Sequence, residues 1–153
     1  MRAELDEASL VKANAQLWEP MIAMRLEPVA GSEEFCVGPG HLIGSVSLYG
    51  LWKGRIEVRL AAGLALAGTA AMLMQPVETV TEADALDATK EIANMIGGVI
   101  KSSLPKPCTL NVPESSVATD GLCMPPRMDD VLSVAFRHDT GALLLRVWEE
   151  ACG

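Results

Sequence analysis

The segment between Thr79 and Pro107 constrains this chain more than any other. Thr79-Val-Thr81-Glu82-Ala-Asp84 places a hydroxyl side chain ahead of acids three residues later, the signature of a helix start. Apolar residues then recur at helical spacing as far as Leu104, where Pro105 and Pro107 stop the pattern. The spacing predicts a helix over 82–104, roughly 34 Å long. Leu86, Thr89, Ala93, Ile96 and Ile100 form its buried stripe, widened by Ile92 and Val99.

The rest of the chain supplies a surface for that stripe. In Leu42–Tyr49, Leu42, Val46 and Leu48 share one face, with Ser45 and Ser47 opposite. In Arg55–Leu60, Ile56, Val58 and Leu60 alternate with Arg55, Glu57 and Arg59. Gly50 and Gly54 bracket the turn between the two, which predicts a hairpin with one face in water. Residues 23–31, 108–113, 131–137 and 142–148 read as further strands. Residues 3–19 read as an amphipathic helix with Leu10, Ala13, Leu17 and Met21 on its apolar side and a boundary or kink at Pro20. Residues 61–74 read as a buried helix ended by Gln75-Pro76, and the stretch around Asp120–Asp130 as a mobile loop. Strands grouped on either side of helices, with alternation that leaves one face polar, indicate an α+β fold. It has two layers: an antiparallel sheet of about six strands with long helices packed on one face. No linker divides residues 1–153, which read as a single domain.

Charge and composition narrow the function. A net charge of −8 argues against nucleic acid and against anionic membranes, both of which attract basic surfaces. The N-terminus lacks the basic start and apolar run of a secretory signal. The apolar stretch Leu60–Met74 is shorter than the roughly 20 residues a bilayer-spanning helix requires. A cytoplasmic location is therefore expected. Cys36, Cys108, Cys123 and Cys152 show no CxxC pair and no zinc spacing, so reduced thiols are expected. With only His41 and His138 available, no histidine-rich metal site can be assembled. Gly38-Pro-Gly40 reads as a turn and not a phosphate loop, because no Gly-Lys-Ser/Thr follows it.

One face of the predicted helix is harder to explain as structure. Asp87, Glu91, Asn94, Gly98 and Lys101 follow one another at spacings of four, three, four and three, a single stripe along the axis. Asn94 is a poor mid-helix residue, and Asp87 and Glu91 are like charges four apart. Gly97-Gly98 costs on the order of 1 kcal/mol per glycine relative to alanine. Yet thirteen Glu and three Asn in 153 positions yield about 0.25 chance occurrences of Glu-x-x-Asn, so the bare tetrapeptide discriminates little. On spacing alone, a solvated Glu and Asn and a tight contact at the glycines explain the stripe as well.

The longer string "KEIANMIGGVIKSSLP" (90–105) resembles the active-site helix of the CheC/CheX/FliY family of response-regulator phosphatases, whose signature is Glu-x-x-Asn-Met/Ile-x-x-Gly. The resemblance continues in order through "MRLEPVAG", "GSVSLYGLWKGRIEVRL", "AAMLM", "LPKPCTLNVP" and "LLLRVWE". CheC-type members carry two such motifs and CheX-type members one. Here the N-terminal helix has Asn14 but Val11 in place of the glutamate, so the chain is more similar to CheX. It departs from the family at Val99, where a polar residue is usual. The resemblance implies a phosphatase for the aspartyl phosphate of a CheY-like receiver, with Asn94 orienting the attacking water and Glu91 gripping a receiver lysine. It implies partner contacts from Asp87, Gly98 and Lys101, Mg²⁺ supplied by the receiver with no metal held by this chain, and a homodimer. A non-catalytic binding or dimerisation module with the same fold is the alternative.

Overall fold

The computed structural model describes residues 5–29, 35–124 and 131–150. Helix α1 spans Glu7–Leu17 and begins at Asp6, whose carboxylate accepts from the Ser9 N–H at 2.8 Å and the Ser9 hydroxyl at 2.7 Å. It runs into a π-helical turn, Trp18–Ile22, that contains Pro20 and ends at Ala23 with φ +61°. Leu10, Ala13 and Leu17 are buried as expected, but Met21 is 62% exposed. The wider π turn rotates it off the α-helical stripe on which the 3.6-residue repeat had placed it.

Strands β1 (Glu27–Pro28), β2 (Phe35–Val37), β3 (Leu42–Gly50) and β4 (Gly54–Leu60) follow. After them come α2 (Ala62–Leu73), α3 (Glu82–Lys101), β5 (Cys108–Leu110), β6 (Glu114–Val117), β7 (Leu122–Met124), β8 (Val131–His138) and β9 (Gly141–Glu149). The main sheet has seven strands in the order β1-β8-β9-β4-β3-β5, with β6 beside β5 along β3, and its pairings are antiparallel. The strand read over 108–113 stops at Leu110 as β5, against one end of β3, and β6, a further strand the sequence reading missed, pairs with the other end. Pro113, which has no N–H to donate, lies at the break. Of the strand read over 23–31, residues 30–31 lie outside the described residues, and among the described ones only Glu27 and Pro28 join the ladder, opposite Arg137 and Phe136.

Register aligns the apolar positions. Leu42, Val46 and Leu48 of β3, Ile56, Val58 and Leu60 of β4, and Leu143, Leu145 and Val147 of β9 are all buried on one face. Helix α3 lies on that face: a Cβ at Gly44 of β3 would fall 2.6 Å from the Thr89 carbonyl oxygen and 3.1 Å from Ala93 Cβ. Helix α2 is only partly buried, through Leu64, Ala65, Gly68 and Thr69. Leu73 is 49% and Met74 92% exposed, which corrects the reading of 61–74 as a buried helix. Its apolar composition runs around the whole helix and so does not mark which side is covered.

The opposite face of the sheet is not simply in water. Glu57 is 5% exposed and accepts from Arg59 Nε at 2.6 Å and from Arg146 at 2.5 Å (Nη2) and 3.1 Å (Nε). Arg59 Nη1 is 2.8 Å from Nε2 of buried His41, and Arg146 stacks over the Trp148 ring at 4.6 Å. Beside this cluster a two-stranded sheet, β2 with β7, sets Phe35 and Val37 on Leu144. Leu122–Met124 is therefore a strand and not loop, while residues 125–130 lie outside the described residues. The same pairing puts Cys36 opposite Cys123, and the two form a disulfide, which corrects the expectation of reduced thiols there. Cys108 is free and buried, and Cys152 lies outside the described residues. Among the described residues no helix is long and apolar enough to cross a membrane.

Candidate functional site

Helix α3 is fixed at both ends and along its length. At its start, Thr81 Oγ1 accepts from the Asp84 N–H at 3.1 Å while the Asp84 carboxylate accepts from the Thr81 N–H at 3.1 Å, a complete capping box. At its end, the Ser102 hydroxyl donates to the Val99 carbonyl at 2.6 Å, and Leu104 is buried. Ala85, Ala88, Thr89, Ile92, Ala93, Ile96, Gly97 and Ile100 face inward. Thr89 satisfies its buried hydroxyl by donating to the Ala85 carbonyl at 2.7 Å. The helix rests on β3 and β4, and both α1 and α2 touch it.

With that side buried, the stripe Asp87, Glu91, Asn94, Gly98 and Lys101 turns outward. Asp87, Glu91 and Gly98 are exposed, while Asn94 and Lys101 are half-buried. Among the described residues the side chains of Glu91 and Asn94 have no hydrogen-bond or ion-pair partner, and no polar atom of Asn94 is sealed from solvent. A carboxylate and an amide one helical turn apart are thus both free to engage a partner, on a helix whose own packing leaves them little freedom to shift. The two glycines divide. A Cβ on Gly97 would meet Val46 Cγ1 at 2.8 Å, whereas one on Gly98 would meet nothing within 4 Å. Gly97 is required by packing against the sheet; Gly98 leaves the outer surface low beside Asn94.

Asn14 of α1 offers a contrast. It is 1% exposed and its Oδ1 is buried without a partner, so it does not present an amide to solvent as Asn94 does. Val99 is half-buried and lines a cleft of about 240 Å³ between α1 and the end of α3, with Ser9, Lys12 and Gln16 on the α1 side. Sequence periodicity could not find this cleft, because it depends on how α1 docks on α3.

The sequence profile of the family described as chemotaxis phosphatase CheX matches residues 42–137, a span that includes β3, β4, α2, all of α3 and most of β8. No curated protein matches. Among solved structures, the chain is similar to the chemotaxis protein CheX of Vibrio vulnificus, with a TM-score of 0.76 at 16% identity over 98% of this chain and 100% of that one. A CheC-like superfamily protein from a Shewanella species aligns with a TM-score of 0.75 at 18% identity over 99% and 100% of the two chains. The CheX of a CheX–CheY–BeF3–Mg²⁺ complex from Borrelia burgdorferi aligns with a TM-score of 0.73 at 13% identity over 97% and 100%. Profile and architecture agree: this chain belongs to the CheX family.

Proposed function

We propose that the protein hydrolyses the aspartyl phosphate of a CheY-like receiver domain, with Asn94 positioning the attacking water and Glu91 anchoring the receiver. The single observation that carries this reading is the pairing of exposed Glu91 with solvent-reachable, unpartnered Asn94 on the rigid outer side of α3. The family profile, which bears the name of a phosphatase, and the Borrelia burgdorferi relative found in a complex with CheY support it.

The chemistry follows from what an acyl phosphate lacks. Its hydrolysis requires water in line with the phosphorus–oxygen bond to be broken, and alignment alone is worth several kcal/mol of barrier. An amide is suited to that task. Its oxygen accepts a hydrogen bond from the water without taking the proton, and its NH₂ can donate to a neighbouring oxygen. Water adds to phosphorus, the bond to the aspartyl carboxyl oxygen breaks, and the receiver recovers its free carboxylate as inorganic phosphate leaves. Glu91 pairs with a receiver lysine and fixes the register of the helix, while Gly98 lets the receiver backbone come close. Asp87 and Lys101 add charged contacts at either end of the stripe. On this reading the Mg²⁺ that neutralises the phosphoryl charge is held by the receiver. The protein acts in the cytoplasm, where receivers are phosphorylated, and as a homodimer.

The test is the lifetime of the acyl phosphate on candidate receivers, with and without the protein. Shortening for at least one receiver is expected. Unchanged decay across all of them, with binding retained, would assign the chain to the non-catalytic module instead.

A further inference from the structure

Cys36 and Cys123 stand directly opposite each other in β2 and β7, joined by a disulfide across 87 positions of sequence. Both residues are exposed. The ribbon they join has three residues in each strand and shares no ladder with the seven-stranded sheet. It is seated through Phe35 and Val37 on Leu144, with Leu122, Ala135 and Ala142 around them. Two short strands contributed by distant parts of the chain are marginal by themselves.

The end of β2 also reaches the buried ion cluster. The Gly38 carbonyl can only accept, so His41 Nδ1 donates to it at 2.7 Å, which leaves Nε2 to accept from Arg59 at 2.8 Å. Arg59 in turn donates to Glu57. The ribbon therefore covers apolar surface and continues into the charge network on the face of the sheet opposite α3.

We propose that Cys36–Cys123 is a reversible thiol–disulfide exchange site that clasps this ribbon over the outer face of the sheet, opened by a low-molecular-weight thiol such as glutathione. A thiolate of the reductant attacks one sulfur, the Cys36–Cys123 bond breaks, and a mixed disulfide forms as the other cysteine leaves as thiolate. A second reductant thiolate then displaces the remaining cysteine. Two electrons and two protons end on Cys36 and Cys123, and the reductant departs as its own disulfide. Exposed disulfides are open to this attack in the folded state, where buried ones are shielded. Opening removes the covalent link between β2 and β7 and uncovers Phe35, Val37 and Leu144. The clasp lies on the far side of the sheet from Glu91 and Asn94, so this inference is independent of the proposed phosphatase activity.

The experiment uses the full chain, purified without reductant and exposed to oxidised glutathione. Alkylation under denaturing conditions should modify two of the four cysteines, and peptide mapping should join Cys36 to Cys123. Adding reduced glutathione to the native protein should free both, and amide exchange over 35–37 and 122–124 should quicken at least roughly tenfold, with α3 unchanged. Cys36→Ser should show the fast exchange without any reductant. Four free thiols after oxidation, a different pairing, a disulfide that glutathione cannot open in the native protein, or exchange that reduction and Cys36→Ser both leave unaltered would each overturn the proposal.

Discussion

Gly97 of α3 meets Val46 of β3 with no room for a side chain: an added Cβ would stand 2.8 Å from Val46 Cγ1 and 3.2 Å from Leu110 Cδ2. Its neighbour Gly98 faces open space. Two adjacent glycines that look alike in sequence thus have different physical causes. One allows the helix to lie close on the sheet. The other weakens the helix and, among the described residues, leaves room for a side chain that nothing fills.

Opposite responses to the same substitution are expected. Gly97→Ala should destabilise by about 1–3 kcal/mol through overpacking. Gly98→Ala should stabilise by up to about 1 kcal/mol through helix propensity. Urea unfolding of the two variants separates them by the sign of the shift in midpoint. Stabilisation by both would show that the contact with Val46 is soft.

How much of this was legible in the sequence depends on the range of the interactions. The capping box at Thr81 and Asp84 marked the start of α3 because that signal is local, whereas the helix read as far as Leu104 ends at Lys101, where the Ser103 and Leu104 N–H groups turn back to the Ile100 and Lys101 carbonyls. Alternation in β3 and β4 was readable because it too is local. The ribbon was not: each strand is too short for a pattern, and Cys36 and Cys123 become neighbours only through pairing across 87 positions. Glu57 reads as a solvent-facing member of an alternating strand. Its burial depends on Arg59 two residues on and on Arg146, which lies 89 residues away. In the candidate site, the stripe from Asp87 to Lys101 follows from helical periodicity alone. The separate causes of Gly97 and Gly98 required the position of Val46.

The Glu57 cluster carries its own prediction. Glu57→Gln leaves Arg59 and Arg146 without their shared carboxylate, although their side chains keep 16% and 13% exposure and so some hydration. A loss of about 3 kcal/mol is expected, the low end for breaking a buried ion pair. The exposed Glu91→Gln should cost less than about 0.5 kcal/mol. Equal small effects in thermal or urea unfolding would mean that the cluster contributes nothing to stability.

Acid should loosen the start of α1. The hydroxyl of Ser9, followed by its backbone N–H, holds the Asp6 carboxyl below its ordinary range. A carboxyl with a depressed folded-state pKa contributes stability that is fully present above its unfolded value, and that contribution is lost as pH falls through the folded one. The wild type should therefore lose more stability than Asp6→Asn as pH drops from about 5 to about 2, because asparagine caps without titrating. Parallel acid limbs in thermal unfolding would show that the cap is not made in solution.

The central claim concerns Asn94, and single-turnover decay of the aspartyl phosphate on a responsive receiver tests it most directly. With saturating protein, Asn94→Ala should reduce the maximal rate by about 100-fold or more, the scale of losing an oriented water. Glu91→Ala should instead raise the concentration needed for half-maximal rate. An Asn94→Ala variant that dephosphorylates the receiver at the wild-type maximal rate would contradict the account, whatever its effect on binding.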